Sequence, residues 1–408
     1  MAFSGNIARL QPSATIAVSS LAKRLRAQGR DIIDLSAGEP DFDTPSFVCD
    51  AAIEGIRGGQ TRYTPTPGMP ELKAAIADHI AAVAGRPIDP DDVVVTSGGK
   101  QALFNASFAL FGEGDEVLIA SPYWTSYPQI VSLSRAEPVF VSGSEERDFR
   151  LTPADLDAAA TDSTRGLIIC SPGNPTGAVY SSDELEAVAR WAKDRGVWLI
   201  ADEIYRRIYY GSDRVAAPSI LELPVDALGP FVLVDGASKS FAMTGWRIGF
   251  LHSSSDVVKK LSALQSHTTS NAATPSQVAA LAAFGGGPRA GAAVAEMVTA
   301  FRRRRDLVTD LMSRVLPEFS YLSPDGAFYL FFRVDAAYRE GCEDSTAFCS
   351  WLLEETGVAL VPGVAFGDDR RVRMSFATDD ATLESGIERM AAAVRPLLSS
   401  QGTAPGAG

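Results

Sequence analysis

The chain has 408 residues, 46% of them apolar, which is more than one hydrophobic core usually organises, so two packed domains are expected. Its 37 Lys and Arg stand against 50 Asp and Glu for a net charge of -13. That balance argues against a nucleic-acid partner and against an anionic membrane surface, and any anionic substrate must then be held by locally placed cations. Cys49, Cys170, Cys342 and Cys349 show neither CxxC nor Cys/His ligand spacing, so no metal centre is expected and a reducing cytoplasm fits best.

The first thirty residues contain no Asp or Glu and carry Arg9, Lys23, Arg24, Arg26 and Arg30. This is the composition of a basic helix and also of a transit peptide, but the pattern runs without a break into the strand-like IIDLSAGEP. No apolar run approaches the roughly 20 residues needed to cross a bilayer. Seven apolar runs follow: VVVT (93–96), EVLIA (116–120), PVFVS (138–142), LIIC (167–170), VWLIA (197–201), FVLVD (231–235) and RIGFLH (247–252). Several are apolar at every position, and the segments after the first, fourth and fifth are long enough for crossover helices. A mostly parallel sheet covered on both faces is implied, with RIGFLH allowed to run antiparallel because it follows so closely.

From about residue 300 the pattern becomes α+β: the Arg-rich helix FRRRRDLVTDLMSRVL, then FSYLSPDGAFYLFFRV, a helix through 345–355, the strand VALVPG and the strand VRMSFA. The terminal SSQGTAPGAG has no periodicity and reads as a frayed tail.

In a parallel sheet the chemistry sits beyond the carboxyl ends of the strands. After VVVT comes SGGKQALF, where Gly98 and Gly99 open a helix whose first N–H groups suit a phosphate, with Lys100 beside them. After LIIC, the turn SPGNPTG presents Asn174; after VWLIA come Asp202 and Tyr205; after FVLVD, the loop GASKSF carries Ser238 and Lys239, with Arg247 eight residues beyond. Each has a plainer reading. Asp202 also suits a helix N-cap, Asn174 a turn, Lys239 a surface lysine, Tyr205 and Trp124 core or rim aromatics, and SGGK lacks the Walker spacing. Their fall on one edge of one sheet favours a site.

Together these residues carry a resemblance. PSAT, SAGEPDFDTP, RYTPTPGMPELK, TSGGKQALFN, SPYWTSYP, SPGNPTGAVY, ADEIY, GASKSFAMTGWRIGF, SPDGAFY and VRMSFA, in this order over roughly residues 10–395, resemble the class I aminotransferases of fold type I, in particular the bacterial branch of the aspartate aminotransferases. The resemblance implies an N-terminal arm at 1–14, a small domain made of 15–45 and 301–397, a large cofactor-binding domain at 46–300 and a flexible tail at 398–408. It implies pyridoxal 5'-phosphate as cofactor, L-amino acid and 2-oxo acid substrates, a ping-pong exchange between aspartate or glutamate and oxaloacetate or 2-oxoglutarate, and a homodimer.

Roles carried across by the resemblance give Lys239 the Schiff base and the proton shuttle, and Asp202 the pyridine nitrogen. Arg247, Ser238 and the Gly98–Lys100 helix start hold the phosphate. Asn174 and Tyr205 take the phenolic oxygen, and Trp124 stacks on the ring. Arg373 grips the substrate α-carboxylate, with a cross-strand ion pair as its plainer reading; Gly38 lets the backbone approach the same carboxylate. Tyr63 matches a residue that reaches the phosphate from the neighbouring subunit.

The stretch SHTTSNAATPS (266–276) has no arginine for a distal carboxylate, leaving Lys100 as the available cation. Gln11 stands where relatives with prephenate activity carry lysine, which puts that activity in doubt. An aromatic or alanine-type aminotransferase, or a carbon–sulfur lyase, would keep the same Lys239, Asp202 and Arg247. A regulator using this fold as its sensor needs an upstream DNA-binding segment, for which the residues before Leu10 leave no room.

Overall fold

The computed structural model describes residues 4–8, 10 and 14–401; Gln11 lies outside them. The strands, in chain order, are β1 (Ile33–Asp34), β2 (Val93–Thr96), β3 (Glu116–Ser121), β4 (Glu137–Ser142), β5 (Thr164–Cys170), β6 (Trp198–Asp202), β7 (Phe231–Gly236), β8 (Gly249–His252), β9 (Tyr329–Arg333), β10 (Val358–Ala359), β11 (Val361–Pro362) and β12 (Arg371–Ser375). Seven of them form one sheet in the order β2-β8-β7-β6-β5-β3-β4. Only β8 runs antiparallel to its neighbours, pairing Val95 with Phe250 on one side and Asp235 with Phe250 on the other.

The sheet is apolar on both faces because each face meets its own layer of helices, and alternation along the strands sorts the residues. Val93 and Val95, Leu167 and Ile169, Leu199 and Ala201, and Leu233 pack into one core. Val94, Ile168, Ile200, Val232 and Val234 pack into the other, together with Tyr127. Asp202, two residues beyond Ile200, therefore points to the Tyr127 side. The helices Gly99–Leu110 after β2 and Ser182–Asp194 after β5 are the expected crossovers. The latter starts at a capping box in which Ser181 and Glu184 satisfy each other's backbone N–H groups.

The third expected crossover is absent. Between β6 and β7 the chain runs through turns and two short 3-10 segments, Ile220–Glu222 and Val225–Ala227. Pro218, Pro224 and Pro230 punctuate this stretch, and each removes an N–H that a longer helix would use.

A separate core gathers Ile33, Leu35, Phe301, Phe328, Phe332, Phe348, Val372 and Met374. Here β9 pairs with β12 and β12 with β11, all antiparallel, while β10 pairs with β1 in parallel. The run VALVPG is thus two short strands rather than one, split at the buried Leu360, because its halves join different sheets. The Arg-rich helix begins earlier than expected, spanning Gly287–Val315. Its Ala290 and Val294 pack on the first core and its Met297, Phe301 and Val308 on the separate one, so a boundary at residue 300 falls within a continuous helix. The last helix, Asp380–Gln401, continues past residue 398, where a tail was expected to begin.

Candidate active site

A cavity of about 550 Å³ opens at the carboxyl ends of the strands, between the sheet and the separate core, within the size range of cofactor and small-molecule sites. It is lined by Gly38, Gly99, Lys100, Trp124, Asn174, Asp202, Tyr205, Ser238, Lys239, Arg247 and Arg373, so the residues picked out after separate strands converge on one space.

Asp202 ends β6 with its side chain buried. Tyr127 donates its hydroxyl to Oδ2 at 2.7 Å and the Ile204 backbone N–H donates to Oδ1 at 3.2 Å. The Ile204 bond is a local turn contact, but no α-helix follows, so Asp202 is not a helix cap. Burial pushes its carboxyl up to about 6, against the Tyr127 and Ile204 bonds and the charge of Lys239. Cys170, also lining the cavity, is pushed up by burial and stays a thiol.

The phosphate-type subsite rests on a close approach. Gly98 has φ +87°, and a Cβ there would meet Arg247 Nη2 at 2.4 Å, so the guanidinium lies directly against the start of the Gly99 helix. A side chain at position 98 would have to displace the guanidinium and adopt a backbone conformation that favours glycine. Arg247 itself adopts φ +56°, a strained conformation for a non-glycine residue, and donates to the carbonyls of Thr244 (3.0 Å) and Ser97 (3.3 Å). A guanidinium beside the unpaired N–H groups of a helix start is an anion cradle. Lys100 Nζ stands 4.9 Å from the centre of the Trp124 ring.

Lys239 donates from Nζ to the Gly38 carbonyl. Burial, seconded by Arg373 and Arg247, lowers its ammonium to about 8, while Glu39 and Asp202 pull the other way. On that value about a tenth of the amine is neutral at pH 7, far more than for an ordinary lysine. Gly38 thus contributes its carbonyl to the site; a Cβ there would make ordinary contact with the Tyr329 hydroxyl at 3.5 Å.

Two arginines on one face of β12 differ in their partners. Arg371, fully buried, pairs with Asp368 at 3.2 Å and with Glu145. Arg373 is 2% exposed and has only neutral partners: Nη1 donates to Asn174 Oδ1 at 3.0 Å, Nη2 to the Ser36 carbonyl at 2.9 Å, and the guanidinium lies 4.2 Å over the Tyr329 ring. Its Nε has no acceptor. The cross-strand ion pair is not formed; a buried guanidinium without a counter-charge beside a cavity is chemically suited to an anion. Tyr205 and Tyr329 share a hydrogen bond of 2.8 Å, and both hydroxyls are pushed up by burial.

Tyr63 is 91% exposed and is not brought to this cavity. Sequence reasoning passed over Tyr127, Tyr329, Ser36 and Glu39 as site residues. All four lie within motifs quoted above, and the face alternation that carries Asp202 past Ile200 would have pointed to Tyr127.

The family described as "Aminotransferase class I and II" matches residues 30–390. The aspartate aminotransferase of Geobacillus stearothermophilus is 42% identical over 391 residues, covering 96% of this chain and 98% of that protein. A probable aspartate/prephenate aminotransferase of Aquifex aeolicus is 38% identical, covering 96% of this chain and 98% of that protein. Among solved structures, the Thermus thermophilus aspartate aminotransferase with maleate superposes with a TM-score of 0.89 at 38% identity, covering 96% of this chain and 99% of that one. With sequence profile, relatives and fold in agreement over nearly its whole length, the chain belongs to the class I and II aminotransferases and is a pyridoxal-phosphate-dependent enzyme.

Proposed function

We propose that the enzyme moves the amino group of a dicarboxylic L-amino acid, aspartate or glutamate, to oxaloacetate or 2-oxoglutarate in two half-reactions that share this cavity. The observation that carries the amino-group transfer is Arg373, a buried cation with an unpartnered Nε beside an amine of lowered basicity, and the choice of a dicarboxylic substrate rests on the further cations around them. Around them, in a chain of net charge -13, the cavity gathers Lys23, Lys100, Lys239 and Arg247 against Glu39 and Asp202. Lys23 and Lys100 are cations additional to Arg373 and Arg247, and the Thermus relative was solved with maleate, itself a dicarboxylate.

The residues fit the cofactor. The Gly98–Arg247 cradle, together with Ser238 and the first N–H groups of the Gly99 helix, would hold the phosphate. Asp202 would face the ring nitrogen, Asn174 and Tyr205 the ring oxygen, and Trp124 the ring face. Bound pyridoxal phosphate supplies an electron sink conjugated to the substrate nitrogen. Lys239, the residue that would carry the cofactor, takes and returns the proton at the substrate α carbon, for which its lowered basicity suits it. Asp202, once opposite a cation, is held as a carboxylate. Arg373 fixes the α-carboxylate, and with it the direction of the Cα–H bond.

The enzyme acts as a homodimer in this reading, because Tyr63 lies outside its own chain's cavity and Ile53 and Ile56 expose apolar side chains on the helix Ser46–Arg57. A cytoplasmic setting rests on four free cysteines; among the described residues no single helix is long and apolar enough to cross a membrane. The test mixes holoenzyme with single amino acids and follows conversion of the cofactor spectrum to the pyridoxamine form. Aspartate and glutamate should convert it fastest; faster conversion by phenylalanine or alanine overturns the reading. Sedimentation should show a dimer, and a fully active monomer overturns that part.

A further inference from the structure

The acid-free basic helix at the start of the chain, Ala14–Ala27, has no role in the mechanism above. Part of its charge is structural: Arg26 donates to the Ile32 carbonyl at 2.9 Å, and just beyond the helix Arg30 donates to the Glu354 carbonyl at 2.8 Å. Lys23 differs. It lines the cavity together with Ser19 and Ser20, and Ser19 and Lys23, four residues apart, share one helix face. Lys23 is exposed and has neither a hydrogen bond nor an ion pair among the described residues.

We propose that Lys23 is a second cation for the distal carboxylate of the substrate, reaching it from a different segment of the chain than Lys100. This rests on the dicarboxylate reading. An anionic substrate, singly charged as the amino acid and doubly charged as the oxo acid, meets an unfavourable mean field on approaching a chain of net charge -13, which an exposed, unpaired ammonium at the cavity offsets locally. Because that ammonium stays solvated, it acts on capture of the substrate rather than on the proton transfer. Ser19 and Ser20 add hydroxyl donors on the same wall.

The test is Lys23→Met, which keeps the stem and removes the charge, beside Lys23→Arg, which keeps the charge. In Lys23→Met holoenzyme, KM for aspartate, glutamate and their oxo acids should rise about 3- to 10-fold at low salt, with kcat within about 2-fold. The difference from wild type should shrink toward none near about 0.5 M salt. Lys23→Arg should recover most of the lost affinity, and kcat/KM for phenylalanine should shift by less than about 2-fold. Unchanged KM for aspartate in Lys23→Met, or an equal change across all substrates, overturns the role of Lys23 while a wild-type preference for dicarboxylates still stands. A wild-type enzyme that prefers monocarboxylic substrates overturns the dicarboxylate reading and this proposal with it.

Discussion

The hydroxyl of Tyr127 donates to Asp202 Oδ2 across 2.7 Å, with both side chains buried. That bond resists the burial that pushes Asp202 up to about 6. In Tyr127→Phe the carboxyl should move higher, so less of it is ionised near neutrality and the acid limb of the activity profile shifts to higher pH. A buried hydrogen bond to a charged group is worth about 1.5–3 kcal/mol, so cofactor affinity and kcat/KM should fall roughly 10- to 150-fold, alike for every amino acid. Wild-type cofactor affinity with an unmoved acid limb would show that Tyr127 only fills space.

Arg373→Lys tests the α-carboxylate. The guanidinium fork is held by Asn174 and Ser36 with Nε left over, and an ammonium cannot reproduce two parallel donors. Losing this grip on a buried carboxylate costs about 2–5 kcal/mol, a drop in kcat/KM of roughly 30-fold to several thousand-fold. The loss should extend to alanine and phenylalanine, with cofactor binding preserved. A loss confined to aspartate and glutamate would move Arg373 to the side-chain carboxylate.

Lys239 provides the pH test. Its ammonium is lowered from 10.5 to about 8, so the neutral amine grows as pH rises through that value. The apoprotein should capture pyridoxal phosphate at a rate that climbs with a midpoint near 8. Arg373 lowers this value and Glu39 raises it, so Arg373→Met should move the midpoint up and Glu39→Gln should move it down. Stopped-flow absorbance across pH measures all three proteins; identical midpoints would dissociate the amine from both charges.

The sheet was legible because its strands are buried on both faces, which leaves apolar runs such as VVVT that no exposed segment tolerates. The residues after those runs were legible as a site because a parallel sheet sends them to one edge. The connection from β6 to β7 was not, since its length suits a helix while Pro218, Pro224 and Pro230 interrupt one. Arg373 was legible only through the resemblance of VRMSFA, since spacing alone does not separate it from Arg371: both stand on one face of RVRMS, and only folding brings Asp368 and Glu145 to the first and leaves the second without a carboxylate. Tyr127 reads as a core aromatic until its partner on β6 is placed.

Substrate choice turns on Lys100. Its ammonium stands 4.9 Å from the centre of the Trp124 ring and is lowered by burial and by Arg247. This puts a cation beside the ring expected to cover the cofactor. If it takes the distal carboxylate, Lys100→Met should cut kcat/KM for aspartate and glutamate roughly 10- to 100-fold, less than the full cost of stranding a buried carboxylate because the ammonium is partly solvated. Phenylalanine and alanine should lose little. If instead Lys100 serves the phosphate, every substrate should suffer alike and cofactor affinity should drop. Should Lys23 read the same carboxylate, the loss in the double variant will differ from the two single losses combined, since residues sharing one ligand group do not add. Measuring kcat/KM for aspartate, glutamate, phenylalanine and alanine in the single and double variants separates these outcomes, and equal losses across the panel would remove Lys100 from substrate recognition.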